Sequence, residues 1–243
     1  MAEAKQYRAA MSITSGRSFL VSFSGIDGAG KTTQIDAVLA WLHEAGFRVR
    51  MLRFWDDIAV LGHLRETMSH RVFKSEKGVG SPDKPVRRRD KNVRAWYMTA
   101  ARLFLYFLDA THLAFMVATT ARTNADIVVF DRYLYDELAN LDLQNSVARA
   151  YIRLLLKLAP RPDVALLLDA DPVQARARKP EYPLEFLHAN RACYLALSKL
   201  AGMTVIGPLA VEDVTRIVLQ KVSTALLCAE MDSPSHRHPV VYR

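Results

Sequence analysis

Hydrophobic and polar positions follow two alternating patterns along this chain. Short, almost continuous apolar runs rich in Val, Ile and Leu are typical of strands covered on both faces of a sheet. These runs lie at residues 19–24, 47–54, 126–131, 163–169 and 203–206. Between them, apolar residues recur every three to four positions, which predicts helices at 33–45, 58–68, 93–122, 147–158, 184–200 and 211–227. The alternation predicts an α/β fold, a doubly wound five-stranded parallel sheet with helices on both faces.

Loop signals divide the chain further. Asp171-Pro172 is typical of a helix N-cap followed by proline in the first turn, and it opens a short lid region at 172–186. Residues 70–92 combine glycines, prolines and a basic cluster, which predicts a long basic loop. Polar, irregular ends at 1–18 and 229–243 are expected to be disordered, which leaves one domain at 19–228.

The most apolar stretch, residues 96–118, is as long as a membrane-spanning helix. It carries Arg102, Asp109 and His112 close to its centre, where charged side chains are costly in a bilayer. We therefore expect no membrane partner. The stretch predicts a long central helix that is either buried or faces a second copy in a homodimer.

Composition narrows the class of protein. The chain has 243 residues, is 51% apolar and carries a net charge of +8, which suits a globular protein with an anionic partner. No recognised nucleic-acid motif accompanies the basic residues, so small phosphorylated substrates are favoured over nucleic acid. The only cysteines are Cys193 and Cys228, which predicts a reduced, cytoplasmic setting without disulfide bonds.

A phosphate-binding loop joins the first predicted strand to the first predicted helix. Residues 25–32 read Gly-Ile-Asp-Gly-Ala-Gly-Lys-Thr and match the complete G-x-x-x-x-G-K-S/T pattern. In such a loop, Lys31 reaches the β and γ phosphate oxygens and the Thr32 hydroxyl ligates Mg²⁺. The motif predicts a fold of the P-loop NTPase type that binds a nucleoside triphosphate with Mg²⁺. The residues expected to bind the nucleotide are Gly25, Gly28, Ala29, Gly30, Lys31, Thr32 and Thr33.

Charged residues follow the third strand. Asp131 at its end is placed to orient Mg²⁺ from the side opposite Thr32. Arg132, beside it, is suited to grip the phosphate of a second substrate through its planar guanidinium. A simple ion pair at the strand end is the alternative.

A second basic group follows the fourth strand. Arg176, Arg178 and Lys179 precede a loop at 180–183 that contains two prolines. Cations there suit a lid that closes over the transferring phosphoryl group and excludes water. A solvated helix face is the alternative.

Together these motifs resemble the thymidylate kinase family of nucleoside monophosphate kinases. The resemblance spans about residues 19–227 and rests on the phosphate loop, on Asp131-Arg132-Tyr133 and on Leu168–Pro172 followed by Arg176. Arg53 and Arg65 keep the spacing of two arginines in the family. The resemblance implies transfer of the ATP γ-phosphoryl group to a nucleoside monophosphate, with dTMP converted to dTDP.

The resemblance also implies roles for individual residues. Asp27 would hold the sugar hydroxyl of the acceptor, and Arg132 and Arg53 would hold its phosphate. Tyr133 would pack beside the sugar or the base. Gly28 stands where some members carry a catalytic arginine, and members with glycine there supply the charge from the lid.

Departures from the family pattern lie on the acceptor side. Asp136-Glu137 replaces two serines after the Asp-Arg-Tyr signature, and Thr111 stands near the position of a base-reading arginine. We therefore expect looser base selectivity than that of a typical member. Another nucleotide or nucleoside acceptor, or an ATPase without kinase activity, remains an alternative.

Overall fold

A single five-stranded sheet forms the centre of the molecule. The computed structural model describes residues 17–60, 96–120 and 125–231. Its strands all run parallel, in the spatial order β2-β3-β1-β4-β5. They are β1 (Phe19–Ser24), β2 (Val49–Arg53), β3 (Ile127–Asp131), β4 (Val164–Leu168) and β5 (Thr204–Ile206). The predicted doubly wound parallel sheet is confirmed.

Helices connect the strands. Within the described residues they are α1 (Lys31–Glu44), α2 (Trp96–Thr120), α3 (Leu134–Leu138), α4 (Ser146–Leu158), α5 (Pro172–Arg178), α6 (Leu184–Ala201) and α7 (Val211–Met231). A π-helical turn, Phe54–Ile58, follows β2 directly.

Two hydrophobic cores lie on opposite faces of the sheet. In β1, Val21 and Phe23 point to a core that contains buried residues of α1 and α7. Leu20 points to the other face, whose core includes residues of α2, α4 and α6. Because the three central strands β1, β3 and β4 are covered on both sides, their sequences are apolar at most successive positions.

Several boundaries differ from the predictions. The second strand is shorter than 47–54 because Phe54 begins the π-helical turn. At the N-terminus, Arg17 belongs to the fold through hydrogen bonds of 2.9 and 2.5 Å to Asp163. At the other end, α7 continues to Met231, past the domain end predicted at 228.

Some predictions lie outside the described residues. They are the extension at 1–16, the part of the predicted helix beyond residue 60, Arg65, the basic loop at 70–92 and the tail from 232 onward.

One described helix, α2, is long and apolar enough by length and composition to cross a membrane. Its polar side chains are used inside the domain. The Val60 N–H donates a hydrogen bond of 2.7 Å to the fully buried carboxylate of Asp109, and His112 Nδ1 lies 2.7 Å from the carbonyl oxygen of Ile58. The helix therefore packs against the domain along one face. Its other face presents Phe104 and Phe115, which are 62% and 63% exposed.

The sheet topology brings three strand ends together. β1 lies between β3 and β4, and all three strands run parallel. Their carboxyl ends therefore meet at one edge of the sheet, which is where α/β proteins bind ligands. The phosphate loop follows β1, Arg132 follows β3 and Asp169 follows β4.

Candidate active site

A cleft of about 1000 Å³ opens at this edge of the sheet. Its remaining wall is formed by residues 206–211, which follow β5. The predicted site residues that line it are Asp27, Gly28, Ala29, Gly30, Lys31, Thr32, Thr33, Asp131, Arg132, Arg178 and Lys179. The structure thus brings the phosphate loop, the strand-end pair and two of the three lid cations into one cavity.

The phosphate loop fits tightly against the lid helix α5. Gly28 has a φ of 82°, in the left-handed region that side chains disfavour. A Cβ atom built on Gly28 would lie 2.2 Å from the carbonyl oxygen of Ala175 on α5. Glycine is therefore required here by both the backbone conformation and the contact. An arginine at this position is incompatible with α5 where it lies, which agrees with a lid that supplies the charge.

Lys31 lies at the base of the loop and is 7% exposed. Its ammonium donates hydrogen bonds of 2.9 Å to the carbonyl oxygens of Gly25 and Ile26. Burial, and then the nearby positive charge of Arg132, lower the pKa of Lys31 to about 8 against the opposing effect of Asp27. The lysine is thus held in the cleft with a pKa that an anionic ligand would raise.

Arg132 is held by two carboxylates. Its backbone has a φ of 68°, unusual for a residue with a side chain, and its N–H donates to the carbonyl oxygen of Phe23 at 3.0 Å. The guanidinium donates from Nη1 to Asp136 at 2.9 Å and from Nη2 to Asp27. Burial would lower the pKa of Arg132, but the charges of Asp136 and Asp27 outweigh it and raise that pKa. Arg132 therefore stays charged at the edge of the cleft.

Thr32 and Asp131 contribute the oxygen atoms suited to a magnesium ion. Thr32 lies in the first turn of α1, Asp131 ends β3, and both line the cleft. Mg²⁺ prefers such oxygen ligands and usually completes its shell with waters and substrate phosphates. The described residues contain no group of three or more His, Cys, Asp or Glu side chains that could hold a metal alone. The donor set therefore fits a magnesium ion that arrives with a nucleotide.

The lid begins at α5. Asp171 caps the helix by accepting hydrogen bonds of 3.0 Å from the N–H groups of Val173 and Gln174, as the sequence predicted. After the helix, Lys179 Nζ lies 3.1 Å from Glu181 and 3.8 Å from Asp27, so it links the lid to the phosphate loop.

The two lid arginines differ in their placement. Arg178 lines the cleft and donates from Nε to the carbonyl oxygen of Gln174 at 3.3 Å. Arg176 is half-buried on the same helix and is not among the residues that line the cleft.

Two predicted substrate contacts are not at the cleft. Tyr133 is fully buried and donates its hydroxyl to the carbonyl oxygen of Pro160, so its side chain points away from the cleft. Its ring packs on Phe130 and Tyr135 in the core, with ring centroids 5.2 and 5.0 Å away. Arg53 has a side chain that is 63% exposed and lies 4.0 Å from Asp56, and it does not line the cleft either.

The two acidic residues that depart from the family pattern also avoid the cleft lining. Asp136 on α3 pairs with Arg132, which lies four positions earlier in the strand-end turn, at 2.9 Å. Glu137 is 3% exposed and lies beside Tyr106 of α2, whose pKa is raised by burial and then by this carboxylate. Both carboxylates are therefore buried inside the fold rather than presented to the cleft.

One structural ion pair escaped sequence reasoning. Asp169, after β4, receives two hydrogen bonds of 2.6 Å from the Nε and Nη2 groups of Arg191 on α6. The two residues are 22 positions apart in the chain, so no local spacing signals the contact. The pair fixes the segment that leads into the lid.

The chain has clear relatives. No family model matches it. A curated protein of Pyrococcus abyssi, named probable thymidylate kinase, is 30% identical over 87% of this chain and 98% of the relative. A protein of the same name from Archaeoglobus fulgidus is 27% identical over 85% of this chain and 96% of the relative. A crystal structure of thymidylate kinase from Ehrlichia chaffeensis matches with a TM-score of 0.55 at 20% identity, over 85% of this chain and 99% of that one. At that identity, the structural match establishes the fold alone.

Proposed function

Because the chain belongs to the thymidylate kinase family, we propose that it transfers the γ-phosphoryl group of ATP to a nucleoside monophosphate. The proposed acceptor is dTMP, and the products are dTDP and ADP. The observation that carries the proposal is the meeting of a phosphate loop with Arg132 and Asp27 in one cleft. Such a cleft has one set of groups for the donor and another for the acceptor.

On the donor side, the N–H groups of the loop and Lys31 bind the triphosphate. Arg178 and Lys179 stabilise the negative charge that develops on the transferring group, since no arginine is present inside the loop. A bound Mg²⁺, held with Thr32 and Asp131, supplies further charge neutralisation. The lid and the wall at 206–211 exclude water, which favours transfer to the acceptor over hydrolysis.

On the acceptor side, Arg132 binds the phosphate and Asp27 binds a sugar hydroxyl. The carboxylate of Asp27 accepts from Arg132 Nη2, so both residues converge on the same small space. Phosphoryl transfer needs mainly positioning and charge stabilisation, and a bidentate guanidinium provides both for an acceptor phosphate.

The base of the acceptor is read loosely. Thr111, near the expected position of a base-reading arginine, donates its hydroxyl to the carbonyl oxygen of Leu108 within its own helix at 2.8 Å. A site that lacks one bidentate contact to a base discriminates less between bases. We expect dTMP to be the preferred acceptor, with measurable turnover of dUMP.

The assembly is proposed to be a homodimer. The exposed Phe104 and Phe115 on α2 give an apolar face, which a second copy would cover. Both cysteines, Cys193 and Cys228, are free thiols, in keeping with the proposed cytoplasmic location.

The experiment that tests this function measures ADP release with ATP and Mg²⁺ against dTMP, dUMP, dCMP, UMP and CMP. Lys31→Ala is the negative control, because it removes the charge that the phosphate loop offers to the triphosphate. We expect acceptor-dependent ADP release that is fastest with dTMP. Release that is equal with and without every acceptor would favour the ATPase alternative and contradict the proposal.

A further inference from the structure

A buried carboxylate lies directly behind Arg132. The side chain of Asp136 is 1% exposed, and it belongs to α3, immediately after the strand-end turn. An ionised carboxylate can accept about four hydrogen bonds. Asp136 has four in this structure, from Ser24 Oγ at 2.7 Å, Tyr133 N at 3.0 Å, Arg132 Nη1 at 2.9 Å and Tyr194 Oη at 2.7 Å. Its hydrogen-bonding capacity is therefore filled by the protein itself.

The donors come from separate elements of the fold. Ser24 ends β1 just before the phosphate loop, Tyr194 lies on α6, and Arg132 and Tyr133 follow β3. Asp136 thereby fixes the guanidinium of Arg132 relative to the loop and to the helix that follows the lid. An ion pair buried this deeply rarely adds net stability, because desolvation offsets the attraction. A role in positioning explains it better than a role in stability.

The second carboxylate on Arg132 has a different environment. Asp27 is 16% exposed, lines the cleft and also lies 3.8 Å from Lys179 Nζ. Asp136 does not line the cleft. A ligand that enters the cleft can therefore compete for the Nη2–Asp27 contact, whereas it cannot reach the Nη1–Asp136 contact.

We propose that Asp136 is the positioning residue for Arg132. It keeps Nη1 hydrogen-bonded throughout, so that only Nη2 exchanges its contact with Asp27 for a contact with the acceptor phosphate. The inference rests on the proposed function, since it assigns Arg132 to an acceptor phosphate. The backbone of Arg132, with its φ of 68°, sets the side chain at the edge of the cleft, and Asp136 fixes its orientation there.

The kinetic test compares Asp136→Asn with Tyr194→Phe. Asn has the same shape but lacks the charge, and its amide NH₂ must face at least one of the four donors. Tyr194→Phe removes a donor from the same carboxylate atom and leaves Arg132 paired, so it is the matched control. We expect Asp136→Asn to lower kcat/KM for dTMP roughly tenfold or more, with the dissociation constant of ATP within about twofold of wild type. Tyr194→Phe should stay within about threefold in both quantities. Equal losses in the two variants, or equal damage to ATP binding, would overturn the proposal.

A second measurement does not depend on turnover and is read on the wild-type protein. Arginine side-chain NMR of the wild-type protein, with the Arg132 signal assigned through Arg132→Lys, reports its two Nη groups separately when rotation about the Cζ–Nε bond is slow. We expect two distinct Nη environments in the nucleotide-free protein, and titration with dTMP should shift only one of them. A single averaged signal, or equal shifts of both groups, would overturn the proposal that Asp136 anchors Nη1 of Arg132. If wild-type protein turns over no monophosphate, the proposed function fails, while the two environments in the nucleotide-free protein still decide whether Asp136 anchors Arg132.

Discussion

Gly28 offers the most specific test of how the lid meets the phosphate loop. Gly28 and Gly30 both have a positive φ, of 82° and 85°. A Cβ atom on Gly28 would lie 2.2 Å from the carbonyl oxygen of Ala175, whereas one on Gly30 would meet nothing within 4 Å. Replacing each by alanine places a side chain at a positive φ, but only Gly28→Ala also creates an overlap with the lid helix.

The expected magnitudes follow from these two contributions. Placing an L-residue in the left-handed region costs about 1–2 kcal/mol, and Gly30→Ala should lose about that much stability. Overpacking against a well-packed neighbour costs about 1–3 kcal/mol more. The overlapping atom is a backbone oxygen, so no side-chain rotation relieves it. Gly28→Ala should therefore lose about 2–5 kcal/mol in total, unless α5 moves away from the loop.

The assay is urea unfolding of the nucleotide-free variants, combined with hydrogen exchange of the α5 amides. Nucleotide is left out because both glycines belong to the phosphate loop. We expect Gly28→Ala either to unfold at clearly lower urea than Gly30→Ala or to show faster exchange in α5. If the two variants match in both measurements, the contact between Gly28 and Ala175 does not hold the lid in solution.

The remaining predictions concern the charged residues of the cleft. Arg178→Ala should lower kcat more than it raises either KM, because the cation acts mainly on the charge of the transition state; an unchanged kcat in steady-state assays would contradict this role. Arg132→Lys should lower kcat/KM for the acceptor about tenfold or more by losing the bidentate geometry, and an equal loss of ATP affinity would place Arg132 on the donor side. The pKa of Lys31 is about 8 in the folded, nucleotide-free protein, below its ordinary value, so ATP phosphates should raise it and binding near pH 8 should take up protons. Calorimetry in two buffers of different ionisation enthalpy measures this uptake, which Lys31→Ala should abolish. From the same shift, the folded protein binds fewer protons than the unfolded chain above pH 8, so the contribution of Lys31 to stability rises as pH increases from about 8 toward its ordinary pKa.

The parts of the fold that depend on local pattern could be predicted from the sequence. Strands such as β1 are apolar at successive positions because both faces are buried, and this pattern is visible without a structure. The phosphate loop is contiguous, so its residues and their order define it. The cap of α5 by Asp171 was equally local, since the cap and the N–H groups it accepts from are within three residues.

The contacts that the sequence did not reveal join distant positions. Ser24 and Asp136 are 112 positions apart, and Tyr194 and Asp136 are 58 apart. No spacing rule connects such residues, so the sequence marked Asp136 only as a departure from the family. The burial of Tyr133 is not visible in the sequence for a different reason. The left-handed backbone of Arg132 turns the chain, so that Arg132 lies at the cleft while its neighbour points into the core.

Transfer to dTMP can be followed on the γ-phosphoryl group itself. ATP labelled with oxygen-18 in its γ-phosphate is incubated with Mg²⁺, dTMP and the protein, and the products are resolved by mass spectrometry. We expect the label to appear in dTDP, only when dTMP is present, and Lys31→Ala to abolish its appearance. Label that accumulates in inorganic phosphate at the same rate with and without dTMP, and none in dTDP, would refute phosphoryl transfer to dTMP.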